Sequence, residues 1–115
     1  MDITTGNTAG RDALRASTGA DDLTWPDATL QQCWDVAVDV TSRYIRPGYS
    51  TDAPAAVVEF VLNVGAVVLR IRDSGGDVSV YPDGTFQPGP ELSSYKLRRM
   101  AATYAPYTVT PRVIA

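Results

Sequence analysis

The segment between Pro54 and Asp73 constrains the fold most strongly, because about twenty residues follow one another there without a helix breaker. Apolar side chains surround most of the axis of the helix that this segment would form, and only Glu59, Asn63 and Arg70 trace a narrow polar line. This pattern predicts a central helix that is covered on nearly all sides. A single β-strand of this length would be unusual, and the polar residues favour burial in protein over lipid.

Three further helices are expected around this central helix. A short one covers 11–17, an amphipathic one covers 27–46, and the last covers 90–104. Thr24 is the expected cap of the amphipathic helix, with Pro26 in its first turn. The last helix divides into an apolar and a polar face. The apolar face carries Leu97, Met100, Ala101 and Tyr104, and the polar face carries Tyr95, Arg98 and Arg99.

The predicted fold is therefore mainly α, a small bundle of about four helices. Residues 74–90 alternate apolar and polar side chains around a Pro-Asp-Gly turn, which predicts a β-hairpin or extended loop before the last helix. An isolated hairpin is marginal in water, so this one is expected to lean on its own helices or on a second copy. Residues 1–10 are expected to form a flexible N-terminal arm, 11–105 the helical domain, and 106–115 an extended tail that docks.

The residues that usually carry catalysis are scarce in this chain. The absence of histidine removes the commonest general base and every Ser-His or Cys-His nucleophile. A single cysteine, Cys33, excludes an internal disulfide or a cysteine-based zinc site and is interpreted as an ordinary buried thiol. Asp35 and Asp39 lie one turn apart, but without a third ligand they are interpreted as a solvated face. We therefore predict no enzyme, no cofactor and no metal, and expect the function to lie in what the chain binds.

Charge is unevenly distributed along the chain, whose formal net charge is −3. Residues 1–52 hold eight aspartates against four arginines, and residues 53–115 hold five acids against six bases. An acidic chain gains little from counterion release, so direct, tight DNA binding is not expected. The densest basic group, Lys96, Arg98 and Arg99, is interpreted first as a solvent-facing helix and second as a docking patch. No secretory signal is recognisable at the N-terminus, and no membrane association is expected.

Several short motifs follow one another from about Leu23 onward and cover nearly the whole remaining chain. They are Trp25-Pro26-Asp27, Gly75-Gly76, Pro82-Asp83-Gly84-Thr85-Phe86, Gly89-Pro90 and the stretch from Arg98 to Tyr107. In this order, and with the helices between them, they resemble the small head-to-tail connector proteins of long-tailed bacteriophages. The motifs mark helix ends and turns and carry no chemistry of their own.

The resemblance implies an α-helical structural virion protein. Such an adaptor forms a ring, twelve-fold by the resemblance, beneath the portal protein after DNA packaging, where it extends the DNA channel and supports the next neck or tail protein. Its place would be the neck of the virion, after assembly in the host cytoplasm, and the packaged DNA would pass without sequence-specific binding. A closed ring needs head-to-tail contacts, which a chain with one acidic and one mildly basic half is suited to make.

Two groups of residues are assigned from this resemblance. Subunit or channel contacts are expected on the hairpin, at Asp77, Val80, Tyr81, Asp83 and Phe86. Portal docking is expected on the last helix and the tail, at Tyr95, Lys96, Arg98, Arg99, Tyr107, Arg112, Val113 and Ile114.

A different class of function stays open beside the adaptor. The chain could be a small non-enzymatic regulatory protein that binds a protein partner through its exposed C-terminal helix, as a monomer or a dimer. A helix-turn-helix DNA binder is less favoured, because Arg43 and Arg46 are too few for a recognition helix among so many acids.

Overall fold

A computed structural model describes residues 1–73 and 92–109. Within these residues the chain forms α1 (Thr8–Thr18), α2 (Asp27–Thr41), α3 (Ala55–Asp73) and α4 (Ser94–Ala102), with a short 3-10 turn directly after α2. The same residues contain no strand, only one isolated bridge. The mainly helical prediction is confirmed, whereas the predicted hairpin or loop at 74–90 and the last six residues of the tail lie outside the described residues.

Helix α3 occupies the centre, as its apolar sequence predicts. It packs against both α1 and α2. Its inner face is fully buried and consists of Val57, Phe60, Val61, Val64 and Val68. The outer apolar residues, such as Leu62 and Leu69, are only half-buried, so the helix is less completely enclosed than the sequence indicates. The polar line of Glu59, Asn63 and Arg70 is exposed as predicted.

Helix α2 differs from its prediction at both ends. Pro26 itself occupies the cap position, without a side-chain cap, and Thr24 lies in the preceding loop. At the other end the helix stops at Thr41, five residues before the predicted end, and a 3-10 turn follows. The buried Thr41 hydroxyl donates to the carbonyl oxygen four residues earlier at 2.6 Å, a bond that competes with the helix ladder. Ile45 then leaves the helix to form the antiparallel bridge with Thr108.

The first residues of the chain pack onto its body, where a flexible arm was expected. Ile3 is buried, and its backbone N–H donates to the carbonyl oxygen of Ser50 at 2.7 Å. The Trp34 indole N–H donates to the carbonyl oxygen of Thr4 at 3.0 Å, which fixes the segment along α2. Met1 is half-buried against the same core, and its carbonyl oxygen accepts a hydrogen bond from the Ala53 backbone N–H at 3.0 Å. Two apolar side chains and these hydrogen bonds together hold the segment.

Helix α1 begins three residues earlier than predicted. The Asn7 side chain accepts a hydrogen bond from the Ala9 backbone N–H at 3.0 Å and so caps the helix at Thr8. This early start places Gly10 inside the first turns, directly against the Trp34 ring. The approach is so close that a Cβ atom at Gly10 would lie 2.1 Å from the indole ring.

The C-terminal segment also returns to the body of the protein. Helix α4 is capped by the Ser93 hydroxyl and begins at Ser94, and the predicted start near Pro90 lies outside the described ranges. After α4, the backbone N–H of Val109 donates to the carbonyl oxygen of Tyr44 at 2.8 Å. The described part of the predicted docking tail therefore lies against the end of α2 in its own chain.

We expect Gly10→Ala to lower the free energy of unfolding by about 1–3 kcal/mol, because the added methyl group overlaps a buried indole that cannot move aside. The measurement is urea denaturation followed by circular dichroism. Gly65→Ala is the matched control: its Cβ would meet the end of the Leu14 side chain at 2.9 Å, which can shift, and the Ala37 Cβ at an ordinary contact distance of 3.6 Å. If Gly10→Ala proved as stable as the control, the close approach of α1 to Trp34 would be refuted.

Candidate docking surfaces

Helix α4 turns one face to the core and the other to solvent, as predicted. Leu97 and Ala101 are buried, and Met100 and Tyr104 are half-buried against the same core. On the opposite side lie Tyr95, Lys96 and Arg99, all exposed, which we call the α4 face. The division into faces is confirmed, and the role of this face in docking stays a prediction.

The α4 face combines positive charge with an aromatic ring. Tyr95 is 65% exposed, and the Arg99 guanidinium carbon lies 5.8 Å from the centre of its ring, a cation-π distance. Arg98 is half-buried beside this face. Residues 92–109 contain three bases, Lys96, Arg98 and Arg99, and no acid. The surface of α4 is therefore cationic.

The other residues predicted to dock do not join this face. Tyr107 packs edge-on against Tyr49, with ring centres 5.3 Å apart, and its carbonyl oxygen accepts a hydrogen bond from the Arg46 backbone N–H. It therefore belongs to the junction between the C-terminal segment and the end of α2. Two groups lie outside the described residues: the hairpin positions Asp77, Val80, Tyr81, Asp83 and Phe86, and the tail positions Arg112, Val113 and Ile114.

A second surface was not predicted from the sequence: the loop of residues 20–26 between α1 and α2, which we call the Leu23 loop. Leu23 is 95% exposed, the largest exposed fraction among the large hydrophobic residues in the described part of the chain. Asp21 holds the backbone around it, since one carboxylate oxygen accepts from the N–H groups of Leu23 at 3.0 Å and Thr24 at 2.7 Å. The hydrogen bonds from Thr24, and a smaller one from Leu23, lower the pKa of the Asp21 carboxyl group.

Arg15 ties the Leu23 loop to the helices on both sides. Its guanidinium group donates to the carbonyl oxygens of Ala20 at 3.2 Å and Trp25 at 2.9 Å. The same group forms ion pairs of 2.9 Å with both Asp22 and Asp27. The loop is therefore held in one shape, with an apolar side chain and two carboxylates, those of Asp21 and Asp22, at its exposed rim.

Two of the residues considered for chemistry, Asp35 and Cys33, have structural roles. Asp35 accepts hydrogen bonds from the Gly6 backbone N–H at 2.7 Å and from the Gln31 side chain at 3.1 Å, so it fastens the N-terminal segment. Cys33 is buried, as predicted, and burial raises the pKa of its thiol despite the opposing charge of Arg72. Across residues 1–73 and 92–109, no group of three or more acidic or cysteine side chains is placed to hold a metal ion.

Comparison with known proteins adds no relative. No family model, no curated protein and no solved structure matches this chain. None of the helices in the described ranges combines the length and the apolar character needed to cross a membrane. The α4 face, the Leu23 loop and the sequence motifs are therefore the features that bear on function.

We expect Arg15→Ala to lower the free energy of unfolding by about 1–2 kcal/mol, because two carbonyl oxygens and two carboxylates lose a charged donor that is only partly screened by water. Arg70→Ala, at an exposed position on α3, is the control and should stay within about 0.5 kcal/mol of wild type. Both values come from urea titration. Equal effects of the two substitutions would show that Arg15 does not hold the Leu23 loop.

Cys33 should react with a thiol reagent only when the protein unfolds. Its side chain is buried and its raised pKa keeps it protonated at pH 8, so the thiolate that attacks the reagent is scarce in the folded state. The rate of labelling by a chromogenic disulfide should rise with urea in parallel with unfolding. Ser17→Cys in a Cys33→Ala background supplies an exposed thiol as a control, and rapid labelling of native Cys33 at the control's rate would contradict its burial.

Proposed function

We propose that the protein is a structural adaptor of the neck of a long-tailed bacteriophage, which joins the portal to the next neck or tail component as a ring. The observation that carries this proposal is the pair of unlike surfaces on one small helical chain. The α4 face is cationic and aromatic, whereas the Leu23 loop is acidic and presents a leucine. A subunit that meets copies of itself head to tail needs two different surfaces of this kind.

Further support comes from the sequence motifs that resemble the connector proteins. The described fold suits the proposed role, because its first residues and the segment from α4 to Val109 are both bonded to the body of the protein. Under this proposal the two unlike surfaces serve contacts between copies, and the C-terminal tail contacts other components of the neck. The net negative charge of −3 suits a channel through which DNA passes without adhering.

A regulatory protein is the second candidate, and one observation favours it. Tyr95 is 65% exposed beside Arg99, and tyrosine and arginine are residue types that dominate the energy of protein interfaces. A regulator would bind one protein partner through this face and would remain a monomer or dimer in every context.

Particle composition separates the two candidates. We expect the chain to be present in purified mature particles at many copies per particle, and image reconstruction to place a ring of this helical fold directly beneath the portal. Incubating the purified chain with isolated portal rings should give a complex that sediments faster than the portal alone. A chain that is absent from particles and does not bind the portal at high concentration would refute the adaptor and favour the regulator.

A further inference from the structure

We propose that the Leu23 loop of one copy binds the α4 face of the next copy. This inference deepens the proposed function and rests on it, since it names the contact by which subunits of the ring would join. The occupant of the α4 face is thus a second copy of this chain. Portal docking would then be left to the C-terminal tail.

The two surfaces match in charge. Asp21 and Asp22 are exposed on the Leu23 loop, and Lys96 and Arg99 are exposed on the α4 face. Asp22 pairs with Arg15 in its own chain, yet its side chain remains 86% accessible, so it can also meet a cation from outside. Complementary charges of this kind fix the register of an interface and speed its formation.

Each of the two surfaces also presents one large exposed side chain that can pack against the other. Leu23 projects from its loop with 95% of its surface exposed, and Tyr95 offers a flat ring that is 65% exposed. An apolar side chain on an aromatic ring, surrounded by paired charges, is the arrangement of an interface centre with a polar rim. Because hydrogen bonds already hold the loop, binding would cost little further ordering.

We assign the contact to different copies, because the Leu23 loop and the segment that follows α4 are attached near opposite ends of α2. The Leu23 loop adjoins the start of α2, whereas Thr108, close behind α4, bridges to Ile45 just beyond the end of α2. A helix of this length extends about 22 Å. Each copy therefore offers the loop to one neighbour and the α4 face to another, and a repeated contact of this type closes into a ring or extends into a filament.

Charge reversal tests the contact in the full chain. Sedimentation equilibrium up to about 1 mM should show self-association of the wild type. Asp22→Lys and Arg99→Glu should each weaken it about tenfold, because each places like charges opposite one another. The variant that carries both substitutions should recover most of the loss, since the reversed charges attract again. Leu23→Ala should also weaken association, without any change of charge.

Charge-matched variants at other sites control for the change in net charge, and circular dichroism controls for folding. Asp39→Lys and Arg43→Glu make the same charge changes at exposed positions outside both surfaces and should leave association unchanged, and circular dichroism confirms that every variant is folded. A monomeric wild type at the highest concentration, or a double variant that fails to recover, would overturn the contact.

Particle composition distinguishes a failure of the contact from a failure of the adaptor role. If the contact fails but the chain is found in mature particles, the adaptor role stands with another subunit contact. If association follows the charge swap but the chain is absent from particles, the contact stands and the adaptor is refuted.

Discussion

The packing of Gly10 against the Trp34 ring is the constraint on which the rest of the structure depends. Trp34 is fully buried, and its ring fills the space between α1 and α2 that only a glycine leaves open. The same indole holds the N-terminal segment through the carbonyl oxygen of Thr4. One side chain therefore sets the distance between two helices and determines the path of the residues before them.

Periodicity was a good guide to the elements but not to their ends. The apolar run of α3 and the two faces of α4 were both foreseeable, because each helix buries one side in a pattern that repeats every three to four residues. The ends depended on local features that periodicity does not show, such as the Asn7 cap of α1 and the 3-10 turn that follows Thr41. Periodicity also does not show which neighbour approaches a small residue: the Leu14 side chain, and no backbone, lies closest to Gly65.

Only one of the two candidate surfaces could be predicted from the sequence. The basic residues of α4 could be recognised as a patch because three of them cluster within four positions of one helix. The Leu23 loop could not, because the exposure of a leucine depends on what the loop is tied to. Arg15, ten residues before Trp25, supplies that tie through space. The local sequence does not predict this exposure, because Ile3, which also lies in a mostly polar segment, is buried.

The positions of the two tryptophans give the molecule a built-in optical reporter. Trp25 lies at the base of the Leu23 loop with 9% of its surface exposed, whereas Trp34 is sealed in the centre with none. The carbonyl of Trp25 is held by Arg15, and the indole of Trp34 is held by Thr4. Loop opening would bring only the first ring into water, while global unfolding would expose both, so the intrinsic fluorescence of this chain can distinguish a local rearrangement from the loss of its core.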